Sequence, residues 1–136
     1  MSTVQYDTTH RSNSMSDLVT ALGSTGYVQL WTGSLPANCA SAPTGTMVGA
    51  LAMSSTAGTV SSGELTFNPI SSGSAIASGS MGYYRLCTTS GAVSAVSQGD
   101  VGVNGSGAAL TFSGSVAVAT GQPLSISAWT ITAFGA

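Results

Sequence analysis

The sequence has very few ionic side chains. Of its 136 residues only 4% are charged, against about 25% in an average soluble domain, and there is no lysine. Nucleic-acid binding needs clustered Lys and Arg that displace counterions from phosphates. Two separated arginines therefore argue against a nucleic-acid partner. The charged residues are Asp7, Arg11, Asp17, Glu64, Arg85 and Asp100.

Long apolar runs are also missing. No segment approaches the roughly 18 to 20 apolar residues that span a bilayer, so we expect no membrane partner. The segment MSTVQYDTTHRSNS at the start has neither the basic region nor the apolar stretch of a secretory signal. We therefore expect residence in a cytosol. Cys39 and Cys87 are predicted to be free thiols there, because cytosolic disulfides are rare, and a Cys39–Cys87 bridge is the alternative.

Residues for catalysis and metal binding are sparse. The single histidine, His10, lies in an N-terminal segment predicted to be extended, away from a nucleophile that it would have to activate. The acidic residues are widely separated, and the two cysteines form neither a CxxC pair nor a group with histidine. We therefore predict no enzyme activity, no metal site and no cofactor.

One helix is predicted, over residues 12–22. Ser12 or Ser14 is its expected N-cap, and Gly23 is placed to end it. Asp17 in its first turn favours the helix dipole. Its apolar residues fall at i, i+3, i+4 and i+7 and so share one face: Met15, Leu18, Val19 and Leu22.

Residues 1–10 are predicted to form an extended N-terminal arm, with Val4 and Tyr6 at alternate positions. Arms of this kind are commonly disordered when alone, and the alternative is that the arm adds a strand to a neighbour's sheet edge. Residues 11–136 are predicted to form a single β-sandwich domain.

The rest of the chain consists of short β-like runs separated by Gly, Ser and Pro. A long uncharged loop separates the first two runs. In the clearest run, PLSISAWTITAF at residues 123–134, the apolar positions change face at Ala128–Trp129, which predicts a bulge. About eight strands predict an all-β fold, a jelly-roll-like β-sandwich. The other runs are YVQLWT, TMVGALAM, ELTFN, SAIAS, MGYYRLCTT, AVSAVSQ and ALTFSGSVAVA.

The core is expected to depend on a few large residues, because small side chains bury little area each. Arg85 lies inside a predicted strand and has two interpretations. Its stem covers the sheet while its head reaches a backbone carbonyl or an acid, or it anchors an interface, where Arg, Tyr and Trp are enriched. The predicted core residues are Leu30, Leu51, Phe67, Leu86, Phe112 and Ile126.

Short motifs follow one another in order along residues 11–133. They are WTGS with PA, TGTMV, GYYRL, GDVG and the run from Gly121 to Thr132. The same order, written YTGS.PA, TGTLLA, G.FRL, G.VG..GA.L and G....I..FTIT, characterises a group of small head proteins of tailed bacteriophages. The chain resembles these capsid cement, or head decoration, proteins. It departs from them at Trp31, where the group has Tyr, and at its two cysteines.

The resemblance implies a structural subunit on the outer surface of an icosahedral head, assembled in the host cytoplasm. Its partners would be the major capsid protein and a second copy of the chain. We expect homodimers at local symmetry axes, and trimers are the alternative. An uncharged loop costs little to desolvate, so contacts are predicted from the arm, the loop 33–45 and a sheet edge. The predicted contact residues are Val4, Tyr6, His10, Trp31, Leu35, Pro36, Pro43 and Arg85.

A different interpretation is a sugar- or host-receptor-binding β-sandwich module of a phage tail or fibre. In that case Trp31, Trp129 and the tyrosines would form a stacking platform for sugars. This alternative requires an exposed aromatic cluster beside a shallow groove.

Overall fold

The described part of the chain folds into one helix followed by short strands. The computed structural model describes residues 4–113, 115–126 and 128–133. The elements in these residues are α1 (Thr8–Leu22), β1 (Tyr27–Thr32), β2 (Met47–Ala52), β3 (Gly58–Ser61), β4 (Glu64–Phe67), β5 (Gly73–Ser74), β6 (Gly79–Cys87), β7 (Ser97–Val103), β8 (Leu110–Phe112), β9 (Ala117–Val118), β10 (Pro123–Leu124) and β11 (Thr130–Thr132).

The strands form one large sheet and two small ones. The large sheet has the order β2-β1-β6-β7-β8, with β9 paired to the start of β6, and it curls as half a barrel. Its pairs are antiparallel except β7 and β8, which are parallel. Strands β11-β4-β3 and β10-β5 form the small sheets. The predicted all-β fold with one short helix is confirmed, and its described strands are more numerous and shorter than predicted.

Helix α1 begins four residues before the predicted start. Its N-cap is Asp7, whose extended backbone (φ −67°, ψ 166°) brings the carboxylate within 2.7 Å of the His10 amide. The predicted N-caps at Ser12 and Ser14 are therefore wrong. Ser12 instead accepts a hydrogen bond from the Gly63 amide at 2.8 Å, which ties α1 to the β3–β4 turn.

The end of α1 agrees with the prediction. Gly23 adopts φ 61°, and its amide donates to the carbonyl of Val19 at 3.1 Å. Of the predicted arm, residues 4–7 precede the helix and are exposed, whereas residues 8–10 are helical. Residues 1–3 lie outside the described residues.

The run 123–134 is divided between two sheets. Strand β10 pairs with β5, and β11 pairs with β4. Ile126 and Trp129, which lie between the two strands, are both buried, so the chain changes sheet while it keeps its apolar residues in the core. The expected bulge at Ala128–Trp129 is therefore a change of sheet, and Phe134 at the end of the run lies outside the described residues. Strand β3 was missed, because GTVS is too short to show a period.

The core lies between the large sheet, α1 and the sheet β11-β4-β3. An aromatic group forms part of it: Trp129 stacks on Phe67 with ring centroids 4.5 Å apart and meets Tyr84 edge-on at 4.8 Å. The indole N–H of Trp129 donates to the carbonyl of Ala109 at 3.0 Å, which satisfies its polar atom. The predicted core residues Leu30, Leu51, Phe67, Leu86 and Ile126 are buried, and Phe112 is half-buried.

The cap of α1 gives a test of the helix boundary. Asp7→Ala removes the acceptor for the His10 amide and is expected to lower the free energy of unfolding by about 1 kcal/mol. Asp7→Asn should retain most of the stability, because Asn caps nearly as well. Asp17→Ala, which alters an exposed acid outside the first turn, is the matched control. Urea unfolding followed by circular dichroism measures all three, and equal losses for Asp7→Ala and Asp17→Ala would contradict the assignment.

The burial of Tyr84 predicts that the free energy of unfolding falls at high pH. Burial raises the pKa of Tyr84 to about 12, and the charges of Asp100 and Cys39 act in the same direction. Between about pH 10, where an unfolded tyrosine titrates, and pH 12 the unfolded chain binds fewer protons than the folded chain. The stability is therefore full below pH 10 and falls by roughly 2 to 3 kcal/mol toward pH 12.

The check is urea unfolding at a series of pH values, with tyrosinate absorbance recorded in parallel. Tyr84→Phe should flatten the decline, whereas Tyr6→Phe, at a partly exposed ring, should leave it unchanged. A decline of equal size in Tyr84→Phe would refute this account.

Candidate interaction surface

The face of the large sheet turned away from the core carries polar and aromatic side chains in register. Across β1 and β6, Gln29 lies opposite Arg85 and Trp31 lies opposite Tyr83. Across β6 and β7, Gln98 lies opposite Arg85. Gln29, Tyr83 and Arg85 have no exposed surface, so this polar face is covered.

Two loops cover it, and together we call them the cap: residues 33–46 between β1 and β2, and residues 88–96 between β6 and β7. The amide of Ala95 in the second loop donates to the carbonyl of Cys39 in the first at 2.9 Å, which joins them. Neither loop contains a charged residue. The long uncharged loop predicted from the sequence is therefore present, and its inner side lies on its own subunit.

Side chains of the sheet bind the backbone of the first loop from beneath. The Arg85 guanidinium donates from Nη2 to the carbonyl of Cys39 at 2.6 Å. The Tyr83 hydroxyl donates to the carbonyl of Thr44 at 2.6 Å and accepts from the Thr44 amide at 2.9 Å. Gln98 donates from Nε2 to the carbonyl of Pro36 at 2.9 Å. These bonds satisfy loop groups that have no strand partner.

Gln29 does the same for the second loop. Its amide nitrogen donates to the carbonyls of Ser90 at 3.0 Å and Ala92 at 3.1 Å. Its amide oxygen accepts from the indole N–H of Trp31 at 3.1 Å, and this bond orients the amide. One buried glutamine thus binds two carbonyl groups of the loop and one edge of the Trp31 ring.

Arg85 was predicted as a partner contact, and its position corrects that prediction. The side chain is fully buried and its head reaches a backbone carbonyl, so the first of the two interpretations is confirmed. Nε and Nη1 have no hydrogen-bond partner among the described residues. Arg85 therefore supports the cap from inside the subunit through its bond to Cys39, although a buried charge is costly when it is incompletely paired.

Two glycines allow the WTGS, TGT and GYYRL motifs to approach one another closely. A Cβ atom at Gly82 would collide with the carbonyl oxygen of Gly33, so the loop passes β6 at a distance that only glycine allows. Gly45 adopts φ 73°, and a Cβ there would collide with the carbonyl oxygen of Thr32. The three motifs therefore meet where the first loop leaves and rejoins the sheet.

The remaining predicted contact residues are divided between the cap and the helix start. Leu35 is 44% exposed on the cap, whereas Pro36 is buried and Pro43 is half-buried. Pro36 therefore faces its own subunit. Trp31 is half-buried and stacks with Tyr83, with ring centroids 6.2 Å apart.

Val4, Tyr6 and His10 lie at the N-terminal end of α1 and not on the cap. Val4 is 63% exposed, and the rings of Tyr6 and His10 stack with centroids 4.8 Å apart. Because α1 packs on β3 and β4 of the small sheet and the cap covers the face of the large sheet turned away from the core, the structure separates these two predicted contact groups.

Sequence reasoning missed two exposed residues of the cap, Val93 and Val96. Both lie in AVSAVSQ, which was predicted as a strand, but β7 begins only at Ser97. Two valines spaced by small residues between Gly91 and a strand are a weak signal for an exposed loop. The cap thus presents Leu35, Val93 and Val96 among Ser, Thr, Gly and Ala.

The Cys87 thiol is unsuited to nucleophilic chemistry. Cys39 and Cys87 are both free, as predicted. Burial raises the pKa of the Cys87 thiol, with the Arg85 charge opposing the rise and Cys39 adding to it. The Cys87 thiol is therefore protonated at neutral pH.

Within residues 4–113, 115–126 and 128–133, no cluster of three or more His, Cys, Asp or Glu residues is placed to hold a metal ion. In the same ranges, no helix has both the length and the apolar character to cross a membrane.

Comparisons of the chain with protein-family models, with curated proteins and with solved structures found no match. The assignment of a function therefore depends on the residues and geometry described above.

The Tyr83 hydroxyl makes two hydrogen bonds with the backbone of Thr44, which we call the clamp. It can be tested by removing one oxygen atom. Tyr83→Phe leaves the amide and the carbonyl of Thr44 without their partner, and we expect a loss of about 1 to 3 kcal/mol in the free energy of unfolding. The loop 33–46 should also become more sensitive to limited proteolysis. The control is Tyr27→Phe, on the same sheet face, whose hydroxyl makes no hydrogen bond within the described ranges. Unchanged stability together with unchanged proteolysis in Tyr83→Phe would remove the clamp.

Proposed function

We propose that this chain is a structural virion protein, a cement protein that binds the outer surface of an icosahedral phage head and ties neighbouring major capsid proteins together. The observation that carries the proposal is the cap: an uncharged surface held from beneath by buried side chains. The subunit would be a jelly-roll-like β-sandwich, assembled onto heads in the host cytoplasm and paired as a homodimer at local symmetry axes.

The composition of the cap supports binding to another protein. Burying an unpaired charge is costly, and the cap has no charge to bury. Its hydroxyl groups either donate or accept a hydrogen bond, so they fit a partner's backbone. Leu35, Val93 and Val96 add exposed apolar surface, which stabilises a complex by roughly 25 cal/mol for each Å² removed from water.

The rigidity of the cap supports the same proposal. Ordering a flexible loop during binding reduces affinity, because its conformational freedom is lost. Here Arg85, Tyr83 and Gln98 already hold the first loop, and Gln29 holds the second. The cap is therefore organised before a partner arrives.

The motifs of the family resemblance add a further argument. WTGS, PA and TGTMV belong to the first loop and its ends, and GYYRL belongs to the strand beneath it. These are the residues that build the cap and its support. GDVG and the run from Gly121 to Thr132 lie outside the cap, and the part of the resemblance that lies in the cap favours a role for this surface in head proteins.

The sugar-binding alternative loses its proposed platform. Trp129 is buried in the core, stacked on Phe67, and Trp31 is half-buried against Tyr83. These tryptophans do not make the exposed cluster that the alternative required.

The experiment measures this chain on heads of the phage that encodes it. The wild-type chain should co-purify with intact heads at a ratio near that of the major shell protein. When added back to heads that lack it, Leu35→Asp combined with Val93→Asp should reduce occupancy at least about tenfold, because each new charge must be desolvated on binding.

Ile76→Asp is the matched control, because Ile76 is an exposed apolar residue outside the cap. It should retain wild-type occupancy. Absence of the chain from intact heads would contradict the proposed capsid role. Equal occupancy for the cap variant and the control would show that the cap is not the surface that binds the head.

A further inference from the structure

A pocket of about 390 Å³ lies beside β8, β9 and β10, apart from the cap. Its volume falls in the range of about 300 to 1,000 Å³ that small-molecule sites occupy. Its floor consists of the buried apolar residues Met81, Val118, Leu124 and Ile126. Its rim consists of the exposed polar residues Asn104, Thr111, Ser113, Ser115, Gln122 and Ser125.

Two carboxamides on the rim are oriented by their own neighbours. Asn104 donates from Nδ2 to the hydroxyl of Ser113 at 3.1 Å, which leaves its oxygen as an acceptor. Gln122 accepts from the Ala119 amide at 3.1 Å through Oε1, which leaves its NH₂ group as a donor. The rim therefore offers a ligand both kinds of hydrogen bond.

The lining selects the chemical class of the ligand. Its described residues include no Arg, Lys, His, Asp or Glu, so they offer none of the charge-assisted bonds that hold phosphates and carboxylates. A wholly apolar ligand would leave the rim hydroxyls and amides unpaired, which is costly. The half-buried Phe112 and the exposed Pro123 add apolar faces beside these polar groups.

We propose that this pocket binds a small neutral saccharide. A sugar ring has hydroxyl groups around its edge, which match the polar rim, and apolar C–H faces, which match the rings of Phe112 and Pro123. The site shares no residue with the cap or with the tryptophans discussed above. This inference therefore goes beyond the proposed capsid role and does not depend on it.

The test is saturation-transfer NMR on the full chain with a panel of glucose, galactose, mannose, N-acetylglucosamine, maltose and lactose. Sialic acid and glucose 6-phosphate serve as anionic probes. We expect transfer to at least one neutral sugar and none to the anions. Asn104→Ala combined with Gln122→Ala should weaken binding at least about tenfold, because two hydrogen-bonding groups are lost.

Ser125→Phe provides a second variant that fills the pocket from an exposed position on the rim, and it should abolish the transfer. Asn13→Ala, an exposed carboxamide on α1, is the control and should bind like the wild type. Absence of transfer to every neutral sugar, or transfer that survives in Ser125→Phe, would overturn the site. So would binding of the anionic probes or of a neutral Ser/Thr peptide in place of the sugars. Head occupancy should be unchanged in Ser125→Phe, so the two proposals fail separately.

Discussion

Backbone groups of a loop that lies flat on a sheet need hydrogen-bond partners, and in this protein the sheet's own side chains supply them. Strand β6 carries Tyr83 and Arg85 on one face, where they bind the backbone of Thr44 and Cys39. The neighbouring strands add Gln29 and Gln98. The position of both loops of the cap follows from these few bonds. If they were absent, 33–46 would be a long loop with unsatisfied groups over a polar face.

The same strand also organises the hydrophobic core. Tyr84 and Leu86 alternate with Tyr83 and Arg85, and all four are buried, so β6 is buried on both faces. Many antiparallel sheets instead have one face exposed to solvent. One face meets the aromatic group around Trp129, and the other meets the cap. A change in β6 therefore affects both, and a side chain in place of Gly82 would collide with the carbonyl oxygen of Gly33 in the cap.

The low charge of the chain has a consistent physical meaning across its surfaces. Ser, Thr, Asn and Gln provide polarity on the cap and on the pocket rim without the desolvation cost of ions. On the cap this suits contact with a large protein surface, and in the pocket it suits a neutral ligand with hydroxyl groups. The buried Arg85 is the exception. The Arg85 charge is desolvated when the subunit folds, so binding of a partner does not require water to be removed from it.

Local patterns in the sequence determined the class of fold, the apolar face of α1 and its end at Gly23. They also determined strands β1, β2, β4 and most of β6, because periodicity and turn residues act over a few neighbours. The scarcity of charge and of catalytic residues was equally visible. Only the tertiary structure decided that Arg85 lies inside, since its acceptor at Cys39 is 46 residues away. It also decided that residues 123–134 serve two sheets, that Asp7 caps α1, and that a polar pocket forms beside β8, β9 and β10. Each of these depends on which distant segments pair, and the free energy of that pairing is not contained in any local stretch of sequence.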